Sequence, residues 1–179
     1  MKFIAVGANL SSRQYGDPRA TCEAALGALK NQGIDVVRVA PWYRSAPVPA
    51  SDQPWYVNSV AEIATNLAPR AVLDALHRVE ADFGRVRTVR NAPRTVDIDL
   101  LCYDDYLSKR AVRDVFRDSP QAGGADEEIV PHPHMHERAF VLLPLRDLAP
   151  AWRHPRSGAT ISALIAKLPK DQIIAAMDG

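Results

Sequence analysis

The run TVDIDLLCY, residues 95–103, limits the folds open to this chain more than any other stretch. Val96, Ile98, Leu100 and Leu101 read as a buried strand, yet Asp97 and Asp99 interrupt it. A strand repeats every two residues, so both acids point to one face and the aliphatic side chains to the other. At a rise of ~3.4 Å per residue the two carboxylates stand roughly 7 Å apart. Acids withdrawn from water are costly unless a cation compensates them. The sequence offers two kinds of cation: bound metal ions, or Arg85, Arg87, Arg90 and Arg94 just upstream.

The rest of the chain says what kind of sheet holds this strand. Residues 2–8 form a first short apolar strand, followed by the turn-rich loop GANLSSRQYGDP. Pro18 suits the first turn of a helix, with Asp17 as its N-cap. Cys22, Ala25, Leu26 and Leu29 give that helix an apolar stripe, and Gly33 closes it. Residues 34–43 are the second strand. RSAPVPASDQP carries three prolines and is an extended loop. Residues 55–64 are the third strand, with Tyr56, Asn58 and Val60 on one face. NLAPRAVLDALHRVEADFG is an amphipathic helix entered at Pro69 and stopped at Gly84. A basic loop, RVRTVRNAPR, then leads into the fourth strand. The order β-α-β-β-α-β predicts an α+β, ferredoxin-like antiparallel sheet with its helices on one face and the other face available. Residues 104–128 lack apolar periodicity and read as a mobile insertion, with a helical turn around 110–116. A turn and a helix from about Glu137 follow, then a short helix over 160–168 capped by Thr160, so the sheet carries a C-terminal helical extension.

A chain of 179 residues suits one domain, here spanning 1–179. Net charge is +1, so nothing global attracts nucleic acid or membrane, and affinity for anions must be local. No apolar run approaches the ~20 residues of a membrane helix. Cys22 and Cys102 both lie in apolar segments and read as small buried hydrophobes, which suits a reducing, cytoplasmic setting. A monomer is expected.

Paired carboxylates suit Mg²⁺, which takes oxygen ligands and is typically held by one or two carboxylates plus substrate phosphates. Arginines beside such a pair suggest a polyanion, because phosphate oxygens accept from a guanidinium fork. Gly84 and Pro93 bracket the basic loop, as suits a hinged lid that excludes water from a phosphate transfer. HPHMH, residues 132–136, suggests zinc, but its prolines break a regular strand and no local partner completes a tetrahedral set. His132 is the better phosphate donor. Tyr56 and Asn58 can form an aromatic wall and an amide that pairs with a heterocycle edge. Phe140 is a candidate for the opposite wall. No glycine-rich phosphate loop of the G-x-x-x-x-G-K-[ST] kind is present.

GANL (7–10), WYRSAPV (42–48), DQPWYVNSV (52–60), VEADFGRVR (79–87), PRTVDIDLL (93–101) and VPHPHMHERAFVLLPL (130–145) together resemble the 6-hydroxymethyl-7,8-dihydropterin pyrophosphokinases of folate biosynthesis. The resemblance implies transfer of the β,γ-pyrophosphate of ATP to the pterin hydroxymethyl group, giving the pterin diphosphate and AMP. It implies two Mg²⁺ ions on Asp97 and Asp99, with Arg85, Arg94, His132 and Arg138 contacting the ATP phosphates. Arg85, Arg94, Asp97 and Asp99 would be the catalytic set. Asn58 would read the pterin edge between Tyr56 and Phe140, and Ser45, Pro47 and Val48 would finish that pocket. Glu80 matches an acidic position of the family but receives no chemistry. Two readings from other classes compete: a ligand-binding module without turnover, and an RNA-binding module on the same topology. The second lacks the aromatic signature K/R-G-F/Y-G/A-F-V-x-F/Y and any basic excess.

Overall fold

The computed structural model describes residues 1–48, 50–85, 94–108 and 129–177. Strands β1 (Lys2–Ala8), β2 (Asp35–Val39), β3 (Tyr43–Ser45), β4 (Tyr56–Ala64), β5 (Asp97–Tyr103) and β6 (Ile174–Ala176) form one sheet. Among the described residues the helices are α1 (Pro18–Ala28), α2 (Pro69–Asp82), α3 (Ala139–Leu148) and α4 (Ile161–Ile165). The strand order is β5-β1-β4-β3-β6, with β2 also paired to β4, and every pairing is antiparallel.

Local chemistry sets the helix ends. The Asp17 carboxylate accepts from the Ala20 N–H at 2.9 Å and starts α1. A 3₁₀ turn over Leu29–Gln32 extends α1, and Gly33 ends it at φ 76°, where a side chain would be strained. Thr160 caps α4 by accepting from the Ala163 N–H at 3.2 Å. The C-terminal helices are shorter than expected, since the first turn after His134 is 3₁₀ and α3 begins only at Ala139.

The edge beside β4 differs from the expected single strand over 34–43. It is split: β2 pairs with the C-terminal half of β4 and β3 with its N-terminal end. Pro41 lies in the gap, and a proline has no N–H to give a ladder. Ala40 bridges the break, its N–H donating to the Val60 carbonyl and its carbonyl accepting from the Ser59 hydroxyl, both at 2.9 Å. β6 was not expected at all. It pairs with β3, extending the sheet by the last described residues.

The sheet has two apolar faces rather than one. Ile4, Val6 and Ala8 of β1, Val57, Ala61 and Ile63 of β4, and Ile98 and Leu100 of β5 pack under α1 and α2. On the opposite face Phe3, Val60, Leu101 and Cys102 pack under Val141, Leu142 and Leu145 of α3 and Ile161 and Leu164 of α4. The expectation of helices on one face only, with the other left free, is therefore corrected: α3 and α4 cover part of that second face. Leu101 reaches this face because it shares parity with the acids. Cys102 joins it through a bulge, since the β1–β5 register shifts between Phe3 and Ile4. Both cysteines are free and buried, and burial raises their thiols, Cys22 to about 12 and Cys102 to about 11. The insertion read at 104–128 falls largely on residues outside those described.

Candidate active site

Beyond the edge of α3 the second face of the sheet is open, and strand parity decides what lies there. From β1 it receives Ala5 and Gly7, from β4 Tyr56 and Asn58, and from β5 Asp97 and Asp99. Gly7 stands between Asn58 on one side and Asp97 on the other, and Ala5 between Val60 and Asp99. Small residues on the central strand thus make a floor, and larger polar ones on the flanking strands make walls. The result is a cavity of about 400 Å³, within the usual range for small-molecule sites.

Most of the residues singled out from sequence meet in this cavity. Ser45, Pro47, Val48, Tyr56, Asn58, Arg94, Asp97, Asp99, Arg138 and Phe140 all line it. Arg85 reaches it through Asp97. Its Nη1 contacts Asp97 Oδ1 at 2.5 Å and also pairs with Glu80, while Arg94 Nη1 pairs with Asp97 Oδ2. Asp99 Oδ2 faces Arg138 Nη1 at 4.0 Å. The Asn58 amide donates to the Ser45 hydroxyl at 2.9 Å, which fixes the amide plane. Burial raises the Asp99 carboxyl to about 6. Asp97 adds to the rise, and Arg138, Arg85 and Arg94 oppose it.

His132 is placed differently. It is not among the residues lining the cavity, whereas His134 is. The His132 backbone N–H donates to the Leu101 carbonyl at 2.8 Å, and its Nδ1 accepts from the His134 N–H at 3.2 Å. The ring is therefore a neutral tautomer with its proton on Nε2. Burial, then Arg138 and His134, hold it at about 3. Arg87, Arg90 and most of the basic loop lie outside the described residues.

Both ends of that loop are pinned to the site. The Arg85 N–H donates to the Glu80 carbonyl at 3.0 Å. At the other end Asn9 clamps Arg94: its Oδ1 accepts from the Arg94 N–H at 2.9 Å, and its own N–H donates to the Arg94 carbonyl at 3.2 Å. The Asn9 amide also donates to Gln53 Oε1 and the Pro54 carbonyl, each at 3.2 Å. Glu80 is only 1% exposed, and its carboxylate accepts from the Ile98 N–H at 2.7 Å. Burial raises its carboxyl to about 7, Arg85 opposing and Asp97 adding. Sequence reasoning assigned nothing to Asn9, Gly7, Gln53 or Gln172. Gly7 alone carried a signal, since an interior strand glycine often marks close backbone or side-chain approach.

The residues present fit a magnesium-bound polyphosphate. Two carboxylates on one face, with open space before them, match the habit of a cation that takes one or two protein carboxylates and completes its shell with phosphates and water. The Arg85 and Arg94 guanidinium groups that now bracket Asp97 are the natural partners for those phosphates.

Comparisons with known proteins give the family and the fold. The fold is shared with solved structures: a crystal structure of Plasmodium falciparum HPPK-DHPS superposes with a TM-score of 0.65 at 14% identity, covering 93% of this chain and 44% of that one. The family model for 7,8-dihydro-6-hydroxymethylpterin-pyrophosphokinase (HPPK) matches residues 3–150, and the chain belongs to that family. It is 41% identical to a 2-amino-4-hydroxy-6-hydroxymethyldihydropteridine pyrophosphokinase of Pseudomonas aeruginosa, over 96% of this chain and 93% of the relative. It is 36% identical to the Synechocystis protein of the same name, over 92% and 74%.

Proposed function

We propose that the chain transfers the β,γ-pyrophosphate of ATP to the hydroxymethyl group of 6-hydroxymethyl-7,8-dihydropterin, a step of folate synthesis. The observation that carries this reading is the meeting, in one cavity, of an acid pair with Arg85, Arg94 and Arg138 beside it and an amide fixed by Ser45, with Tyr56 and Phe140 in the same lining. The flat pterin lies between Tyr56 and Phe140, and its polar edge pairs with the Asn58 amide, which Ser45 holds in place. Pro47 and Val48 close that end. The triphosphate lies toward Asp97 and Asp99, against Arg85, Arg94 and Arg138, and reaches past the cavity lining to the Nε2–H of His132. The scaffold is read as ferredoxin-like, extended by α3, α4 and β6.

The pterin hydroxymethyl oxygen attacks the β-phosphorus in line. A new O–P bond forms, the bond from that phosphorus to the oxygen bridging to the α-phosphate breaks, and AMP leaves. Two Mg²⁺ ions on Asp97 and Asp99 would neutralise charge on the attacking and leaving oxygens. The arginines turn from Asp97 to the transferring group and stabilise its equatorial oxygens. Asp97, once the arginines have turned away, would receive the hydroxymethyl proton, directly or through water.

Purified protein supplied with ATP, Mg²⁺ and the pterin should release AMP and the pterin diphosphate in equal amounts; release of ADP would refute the reading. Asp97→Ala and Asp99→Ala should each abolish turnover with a smaller loss of pterin binding. Near-normal turnover in either variant removes the metal assignment.

A further inference from the structure

Gln172 lies beyond residues 3–150, which the family model matches, in the segment that leads into β6. Its side-chain amide spans the two peptide groups that flank Arg138. The Oε1 accepts from the Ala139 N–H and the Nε2 donates to the Glu137 carbonyl, both at 2.7 Å. Arg138 is the N-cap of α3, with extended backbone at φ −115° and ψ 113°, and its own side chain makes no cap. The first N–H groups of a helix have no acceptor within the helix. Here a residue more than thirty positions along the chain supplies one.

The consequence falls on the Arg138 side chain. With both neighbouring peptides held, its guanidinium sits 4.0 Å from Asp99 Oδ2 and 5.6 Å from the Phe140 ring centroid. Gln172 lines the same cavity. The segment behind it reaches the opposite wall: the Ala46 N–H donates to the Ile173 carbonyl at 3.0 Å, and Ile174 pairs with Ser45, the partner of Asn58.

We propose that Gln172 is a positioning residue, one that aims Arg138 into the site by fixing the peptides on either side of it. The proposal rests on the phosphate role given to Arg138 above. Gln172 itself touches no reacting atom.

A double-mutant cycle on the full chain tests it, with AMP release followed as ATP is varied. Gln172→Ala should lower kcat/KM for ATP by roughly 10- to 100-fold, since misplacement of a positioned group by about 1 Å can cost about 10²-fold. Arg138→Ala should lose at least as much, and the double variant no more than Arg138→Ala alone. Gln172→Glu keeps an acceptor for Ala139 but no donor for Glu137, and should fall between wild type and Gln172→Ala with its melting temperature near wild type. A merely structural role would depress the melting temperature in both backgrounds and multiply the kinetic losses. Multiplying losses, wild-type kinetics in Gln172→Ala, or an unimpaired Arg138→Ala would each overturn the proposal. A wild-type chain that releases no AMP would instead refute the reading on which it rests.

Discussion

A Cβ built on Gly7 would stand 2.6 Å from the Asn58 Oδ1, a distance real Cβ atoms do not adopt. The amide must move, and it is the group proposed to read the pterin edge. Gly7→Ala should therefore weaken pterin binding in calorimetric titration by about 1–3 kcal/mol, the usual cost of overpacking, while the nucleotide affinity changes less. Equal losses for both ligands would show that Gly7 serves the strand and not the amide. Residues such as Asp97, Asp99, Tyr56 and Asn58 were legible from sequence because strand parity alone puts them on one face. Asn9 and Gln172 were not. Each acts through backbone groups of a segment far along the chain, Asn9 on Arg94 and Gln172 on the flanks of Arg138, and no local pattern announces such a clamp. Glu80 was visible as an acid at the end of a helix, but its burial and its bond to the Ile98 N–H come from tertiary packing.

Among the elements, α3 does two jobs. Its N-terminal end presents Arg138 and Phe140 to the cavity, and its body packs Val141, Leu142 and Leu145 onto the sheet beneath. Tyr43 ties it to β3 through a hydrogen bond to the Asp147 carboxylate. Leu142 is fully buried. Leu142→Ala should destabilise the chain by about 2–5 kcal/mol, as for other large-to-small core changes, read as a lower urea midpoint. A change under 0.5 kcal/mol would mean α3 is not docked as described. The sequence showed β1, α1, β4, α2 and β5 within a residue or two, because each carries its own apolar period and its own stop signal. The split between β2 and β3 and the addition of β6 come from pairing with distant strands, which periodicity does not encode. Pro41 was the one local hint of the split.

For the molecule as a whole, three shifted groups set opposing responses to pH: Glu80, which is buried, and Asp99 and His132, which are half-buried. Asp99 and Glu80 have carboxyls raised to about 6 and about 7, so the unfolded chain holds their protons less tightly than the folded one. Their contribution is complete below the ordinary carboxylate range and is lost as pH rises through 6 and 7. His132, depressed to about 3, acts the other way: its contribution is complete above the ordinary imidazole value of 6.5 and fades as pH falls toward 3. In the absence of nucleotide, Asp99→Asn should melt above wild type at pH 8 and together with it near pH 4, where the wild-type acid is protonated as well. A gap of equal size at both pH values would trace the gain to something other than ionisation.

The two faces of β5 carry a further consequence for how the chain finds its fold. A slip of one residue against β1 would turn Asp97 and Asp99 inward beneath α1 and α2 and expel Ile98 and Leu100 into water. Misregistered pairings would thus strand two negative charges in oil, a cost that favours the native alignment, so the acid pair would also act as an alignment key for the strand that bears it.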